Sequence, residues 1–205
     1  MRKSSWNVWL GAAALLLALP LAAQQTAKEA DKEAGTHDQY EKLLRKSGNH
    51  EILHRLEGTW RAENLKTLIY GPKEVIMKDT LEAKLIYDGN FLETHFAQEL
   101  GGINKGTTIM GYNGADKHFW RLFLNADPRG TWSTGVYVRS KDALVFRGQE
   151  HDPVSGDSFE KREVYTFGPD KDKFHFELFY EFADGSELEV VDGDYTRVKT
   201  APPPQ

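Results

Sequence analysis

Apolar and polar residues alternate along most of this chain, and that period of two is the feature that most restricts its fold. Successive side chains of a β-strand point to opposite faces, so the pattern is typical of strands with one buried and one wet face. The clearest run is residues 74–87, in which one face carries Val75, Met77, Leu81, Ala83, Leu85 and Tyr87. Asp79 is the one polar exception on that inner face.

The same pattern recurs about ten times, which predicts a mainly β domain. The predicted strands are residues 59–69, 74–87, 91–100, 106–113, 117–125, 131–140, 143–150, 158–168, 173–182 and 187–198. Short turn sequences such as Asp88-Gly89-Asn90, Asn113-Gly114 and Asp184-Gly185 separate them, and short connections favour antiparallel neighbours. A roughly ten-stranded antiparallel up-and-down barrel would hide every strand edge, with a β-sandwich as the alternative.

One or two short helices are predicted before the first strand. Thr36 and Gln39 have the spacing of a capping box, which indicates a helix over residues 37–46. A second short helix can be capped by Asn49 and ended by Gly58. The predicted domain therefore covers residues 36–198.

The first 23 residues have the layout of a secretory signal peptide. Arg2 and Lys3 precede an apolar run over residues 8–19, and small residues follow Pro20 up to Ala23. The run is shorter than the roughly 20 residues that cross a bilayer as a helix. We expect cleavage near Ala23, a periplasmic or secreted protein, and no membrane insertion of the mature chain. Residues 24–35 are predicted to be a flexible polar tether, and residues 199–205 a disordered tail.

The charge balance argues against nucleic acid or anionic membranes as partners. The chain has 26 basic and 31 acidic residues, and loss of Arg2 and Lys3 with the signal peptide would leave 24 basic ones, a net charge of about −7. The chain has no cysteine, so its stability must come from a packed core rather than from disulfides.

Several short motifs, in a fixed order, resemble the DUF1579 family of bacterial proteins of unknown function. They are Leu56-Glu57-Gly58-Thr59-Trp60, Gly89-Asn90-Phe91-Leu92-Glu93, Gly111-Tyr112-Asn113, Asp152-Pro153-Val154-Ser155-Gly156, Arg162-Glu163-Val164-Tyr165 and Asp194-Tyr195-Thr196-Arg197. The resemblance covers residues 50–198 and implies a calycin-like, lipocalin-like barrel with no established activity.

Gly58-Thr59-Trp60 is similar to the opening Gly-x-Trp of lipocalins, in which the tryptophan closes one end of the barrel. We therefore expect Trp60 to belong to the core. Haem-binding barrels of the nitrobindin type continue with further glycines, where this chain has Arg61-Ala62-Glu63. No cofactor is predicted.

Residues His50-Glu51-Ile52-Leu53-His54 match the H-E-x-x-H pattern of zinc peptidases. A metzincin continues with a glycine three residues after the second histidine and a third histidine three residues further on, where this chain has Glu57 and Trp60, so the ligand set is incomplete. The predicted helix is also only about two turns long, whereas a catalytic site needs a rigid setting. The preferred interpretation is a histidine pair without metal, with a zinc site at His50 and His54 as the weaker alternative.

Five residues are candidates for binding a ligand inside the barrel: Trp60, Glu93, His118, Trp120 and Arg162. His118 and Trp120 share a strand face with two leucines, which favours an inward position, whereas Arg121 and Arg147 lie on the opposite faces and are expected in solvent. Glu93 and Arg162 stand in motifs of the family pattern, and they could equally form a buried ion pair.

Three functions remain open at this point. A barrel that binds a small apolar or amphipathic ligand is the leading hypothesis, and it rests on architecture alone. An enzyme is the alternative, either a hydrolase using His50, Glu51 and His54 or an isomerase using His118 and Glu93. The third is a structural or interaction protein whose interior is filled.

Overall fold

In the computed structural model, residues 47–69, 73–99, 103–125, 130–151 and 158–199 are described. They form ten strands: β1 Gly58–Thr67, β2 Val75–Ile86, β3 Phe91–Glu99, β4 Ile103–Asn113, β5 His118–Asn125, β6 Thr131–Val138, β7 Ala143–His151, β8 Ser158–Phe167, β9 Lys173–Glu181 and β10 Glu187–Arg197. A single 3-10 turn, Arg139–Lys141, separates β6 from β7.

The ten strands form one closed barrel in which each strand pairs antiparallel with its neighbours in sequence. The first strand, β1, closes the barrel by pairing with the last, β10, with Trp60 opposite Arg197. The predicted mainly β, up-and-down barrel is thus confirmed, and the sandwich alternative is wrong.

One short helix, α1 at His50–His54, precedes β1 in the described part of the chain. It buries Leu53 and, just beyond its end, Leu56 against the barrel. Asn49 precedes the helix as predicted, but its side chain makes no capping hydrogen bond, because the residue has helical backbone angles. Instead, the Ser47 amide donates to His50 Nδ1 across 3.0 Å.

Several sequence-based expectations lie outside the described residues: the signal peptide, the tether, the helix over residues 37–46 and residues 200–205 of the tail. Within the described ranges, no helix combines the length and the apolar character that crossing a membrane requires.

Trp60 closes the barrel at the end that carries α1, as the sequence predicts. Its side chain is 1% exposed, its ring meets Phe174 edge-on at a centroid distance of 4.8 Å, and its Nε1 donates to the Leu56 carbonyl at 2.7 Å. The Arg197 guanidinium lies 4.0 Å from the centre of the same ring.

Two arginines attach the segment after α1 to the barrel. Arg55 makes a two-pronged contact with Asp142, with N–O distances of 2.6 and 3.0 Å. Arg197 donates to the carbonyls of Arg55 and Glu57. Gly58, the first residue of β1, has a backbone φ of 122°, a value that residues other than glycine rarely adopt.

The packing around Trp60 predicts a large stability loss on truncation. We expect Trp60→Ala to lower the free energy of unfolding by about 3–5 kcal/mol, because it opens a cavity in a sealed end and orphans the Leu56 carbonyl. Urea denaturation measures the change. Trp132→Ala is the matched control, since Trp132 is 54% exposed and should lose about 1 kcal/mol or less. Equal losses in the two variants would contradict this account of the closed end.

Candidate functional site

The barrel interior contains a cavity of about 180 Å³. A single buried water needs only roughly 10–15 Å³ of such space, so the cavity exceeds the voids of ordinary packing. Its walls are mostly apolar, with aromatic rings from five strands, β3, β5, β8, β9 and β10. The hydrophobic lining consists of Leu56, Leu65, Ile69, Leu81, Phe96, Met110, Phe123, Tyr165, Phe174, Phe176, Leu178, Tyr180, Val191 and Tyr195.

The cavity is closed at one end of the barrel and reaches the surface at the other. Leu56, beside α1, bounds it at the closed end. Exposed Ile69 and Asn125, which stand where β1 and β5 finish, line it at the opposite end. A small molecule therefore has access from the end away from α1.

Four charged side chains from three strands converge on one wall. Arg121 Nη1 of β5 lies 2.6 Å from Glu163 Oε1 of β8. Lys161, two residues before Glu163 on the same inward face, bridges to Glu163 at 3.3 Å and to Glu150 of β7 at 3.0 Å. Both cations also lie near the Phe123 ring, at 5.0 and 5.4 Å from its centre. We call this set, Arg121, Glu150, Lys161 and Glu163, the charged cluster.

The charged cluster is electrically balanced, and three of its four members are deeply buried, whereas the Glu150 side chain is 32% exposed. Arg121, Lys161 and Glu163 are each 5% exposed or less. Burial by itself would lower the pKa of Arg121, but the Glu163 carboxylate raises it, so the guanidinium stays charged. Two atoms of the charged cluster, Arg121 Nε and Glu163 Oε2, are buried without a hydrogen-bond partner.

A second polar group, the Asp79 carboxyl of β2, lies in the cavity wall away from any ion pair among the described residues. Its Oδ2 accepts a hydrogen bond from the Tyr195 hydroxyl at 2.5 Å, while Oδ1 is buried and makes no hydrogen bond of normal geometry. Burial raises the pKa of Asp79 to about 6, against the lowering effect of the Tyr195 hydrogen bond. Burial also raises the pKa of Tyr165 and of Tyr195, so both hydroxyls remain neutral donors.

The sequence-predicted ligand-binding residues do not line this cavity. Trp60 lies in the sealed end, and the other four belong to the outer face of the barrel. Trp120 stacks on exposed Trp132 at 5.1 Å between ring centres. Arg162 pairs with Glu181 at 3.0 Å and with Glu187, and it contacts the Phe179 ring rather than the interior.

The structure also corrects the predicted orientation of His118 and Arg121 on β5. His118 shares the outward register of Trp120, because Phe119 and Arg121 are the inward residues of β5. The expectation that Arg121 faces solvent is therefore wrong, whereas Arg147 is exposed as expected. Glu93 pairs weakly with His95 at 3.7 Å on the outside, so a buried Glu93–Arg162 ion pair does not form.

Lys161 and Glu163 were not predicted to face the interior, but the second half of β8 indicates that they do. Tyr165 and Phe167 are apolar and share a face with Lys161 and Glu163, which marks that face as inward. On β5 no such signal exists, because Phe119 and Phe123 compete with Trp120, Leu122 and Leu124 for the interior.

The two histidines of α1 serve local packing. His50 is buried and meets the Tyr112 ring edge-on at 5.6 Å. His54 Nε2 lies 3.4 Å from the Gly89 carbonyl, at the turn between β2 and β3. In the described ranges, no group of three His, Cys, Asp or Glu side chains is arranged to hold a metal ion.

Comparisons with known proteins agree with the barrel. A family model described as a protein of unknown function, DUF1579, matches residues 45–197. Among solved structures, the crystal structure of Rv2717c from M. tuberculosis superposes with a TM-score of 0.54 at 9% identity, covering 76% of this chain and 100% of that one. Such low identity shows a shared fold alone. A search of curated proteins found no match.

The charged cluster predicts a non-additive response to mutation. Arg121→Leu should lower the free energy of unfolding by about 3 kcal/mol, because Glu163 keeps a buried charge and loses its closest partner. Arg121→Leu combined with Glu163→Leu should recover most of that loss, since Lys161 retains Glu150. Denaturant unfolding of both variants measures the coupling. Arg147→Leu breaks an exposed ion pair and serves as the control, with an expected loss below about 1 kcal/mol.

Asp79 predicts a stability difference that depends on pH. Its pKa rises from 3.8 to about 6 on folding, so the folded state binds the proton more tightly between these values. The free energy of unfolding should therefore fall by about 2 kcal/mol as pH rises from 4 to 7, a contribution that Asp79→Asn removes.

The difference between wild type and Asp79→Asn, measured by urea unfolding at each pH, isolates this term from other groups. The charged or titratable residues that share the cavity are Arg121, Glu150, Lys161, Glu163, Tyr165, Tyr180 and Tyr195. A difference that stays constant from pH 4 to 7 would show that Asp79 titrates normally.

Proposed function

We propose that this chain, which belongs to the DUF1579 family of proteins of unknown function, binds a small amphipathic molecule inside its barrel. The observation that carries the proposal is the interior cavity of about 180 Å³, with apolar walls and a few convergent polar groups. That combination is typical of small-molecule sites, in which apolar surface supplies affinity and polar groups fix orientation.

The unpartnered polar atoms of the cavity favour an occupied interior over a filled, purely structural one. Arg121 Nε, Glu163 Oε2 and Asp79 Oδ1 are buried without hydrogen bonds. Each such atom costs on the order of 1–3 kcal/mol unless a ligand or water satisfies it. A barrel with only a structural role would gain stability from apolar side chains at these positions.

The alternatives that involve catalysis find less support. The cavity lining among the described residues contains no histidine, and His118 and Glu93 stand on the outer face of separate strands. His50 and His54 belong to a helix of five residues whose imidazoles already contact Tyr112 and Gly89. We therefore propose binding rather than a hydrolase or isomerase reaction.

We also propose that the protein works outside the cytoplasm, in the periplasm or as a secreted protein. The support is the charged start, apolar run and small residues of positions 1–23. A carrier in that compartment suits a barrel whose cavity reaches the surface at one end.

Native mass spectrometry of protein purified from the extracytoplasmic fraction tests both parts. We expect a chain that lacks about the first 23 residues, together with a bound small molecule that solvent extraction releases. Thr108→Phe should reduce the bound fraction severalfold, because Thr108 is buried in the cavity wall and the larger ring occupies the space.

Thr107→Phe is the matched control, since Thr107 is the adjacent residue of β4 with its hydroxyl 3.1 Å from outward His95. Its bound fraction should equal that of wild type. A mature chain that carries nothing, and that binds none of the probe molecules named below, would contradict the proposed function. A full-length chain confined to the cytoplasm would contradict export.

A further inference from the structure

We infer that the polar group of the ligand is an ammonium, held by the Asp79 carboxylate. This inference rests on the proposed binding function and adds to it the chemical class of the ligand. Three features of the described interior support it. They are the Asp79 oxygen that makes no hydrogen bond of normal geometry, the net charge of the side chains that line the cavity, and the aromatic rings of the cavity wall.

The carboxylate of Asp79 has bonding capacity that the protein does not use. The residue is 3% exposed and lies in the cavity wall on β2. One oxygen accepts from the Tyr195 hydroxyl, and the other makes no hydrogen bond of normal geometry, although the Thr80 and Ala97 backbone and the Gln98 side chain lie near enough to lower the pKa of the carboxyl. No lysine or arginine of the described residues pairs with it. A ligand that donates hydrogen bonds and carries positive charge would satisfy that oxygen.

The charged side chains that line the cavity, including the partly exposed Glu150, sum to one negative charge when Asp79 is ionised. Arg121 and Lys161 balance Glu163 and Glu150 through contacts of 2.6 to 3.3 Å. Asp79 is the remaining charge, and a buried charge is costly unless it is paired. A cationic ligand makes the interior neutral, whereas an anionic ligand would meet three carboxylates.

Aromatic rings continue from Tyr195 along the same wall. Tyr195 stacks on Phe174 with ring centres 4.8 Å apart, and Tyr165 meets Phe176 at 4.9 Å. All four line the cavity. Such rings pack against an apolar ligand body, and their faces attract a desolvated ammonium.

The experiment compares three probes of the same shape that differ in charge: 2-phenylethylamine, 2-phenylethanol and 3-phenylpropionate. Isothermal titration at pH 7.5 should show the amine binding about tenfold more tightly than the alcohol, and the carboxylate most weakly. Asp79→Asn should weaken amine binding about tenfold and leave alcohol binding within about twofold.

Glu93→Gln is the matched control, because it removes a carboxylate from the outer face of the barrel and should change neither affinity. Lowering the pH from 7.5 to 5 in the unmutated protein gives a second readout that does not depend on a variant folding. Protonation of Asp79 should then weaken binding of the amine and not of the alcohol. The carboxylates Glu150 and Glu163 also line the cavity, where they pair with Lys161 and Arg121.

The outcomes separate the two proposals. Equal affinity for amine and alcohol, unchanged in Asp79→Asn, would leave the binding function standing and overturn the ammonium assignment. Tightest binding of 3-phenylpropionate would also overturn it, in favour of recognition by Arg121 and Lys161. Failure of all three probes to bind, with no molecule extracted from the purified protein, would overturn the binding function and the ammonium assignment together.

Discussion

Closure of ten strands into one sheet is the constraint on which the rest of this structure depends. Closure removes every free strand edge, and it fixes one face of each strand as interior. Barrels of about eight strands are just wide enough for their side chains to fill, so ten strands leave space inside. Trp60 and α1 seal one end, and the remaining space forms the cavity. The space for the site therefore depends first on the number of strands and only then on any particular residue.

The polar groups of the interior form two regions that differ in their pairing of charge. The charged cluster is drawn from β5, β7 and β8 and is neutral as a set, and its ion pairs link those strands. Asp79, on β2, has a tyrosine partner but no cation. Strand pairing keeps the two polar regions on different strands of the wall, so the cavity has two chemically distinct polar positions.

The sequence was sufficient to predict the positions of the strands, but it was not sufficient to predict which face of each strand points into the barrel. Strand positions followed from turn residues and from alternation, and the predicted 74–87 and 158–168 differ from the observed β2 and β8 by about one residue at an end. The prediction of which residues point inward was correct where only one strand face was apolar, as on β2, which carries Asp79. It was wrong on β5, because the outside of this barrel also carries aromatic residues, among them Trp120 against Trp132. Buried charge adds to the difficulty, since Arg121 and Glu163 look like surface residues until their partners across the barrel are known. The H-E-x-x-H pattern of α1 illustrates the opposite difficulty, since a pattern that resembles a zinc motif stands in a five-residue helix whose histidines contact Tyr112 and Gly89.

Pairing of β1 with β10 also sets the order of events during folding. Trp60 and Arg197 become neighbours only after the whole intervening chain is available, and barrels dominated by such distant contacts fold slowly. The same Arg197 holds the carbonyls of Arg55 and Glu57, so the seal at the α1 end waits for the last strand too. A nascent chain that has not yet released β10 therefore has an open sheet with two unpaired edges and an unsealed interior, and it becomes a container only in its final step of assembly.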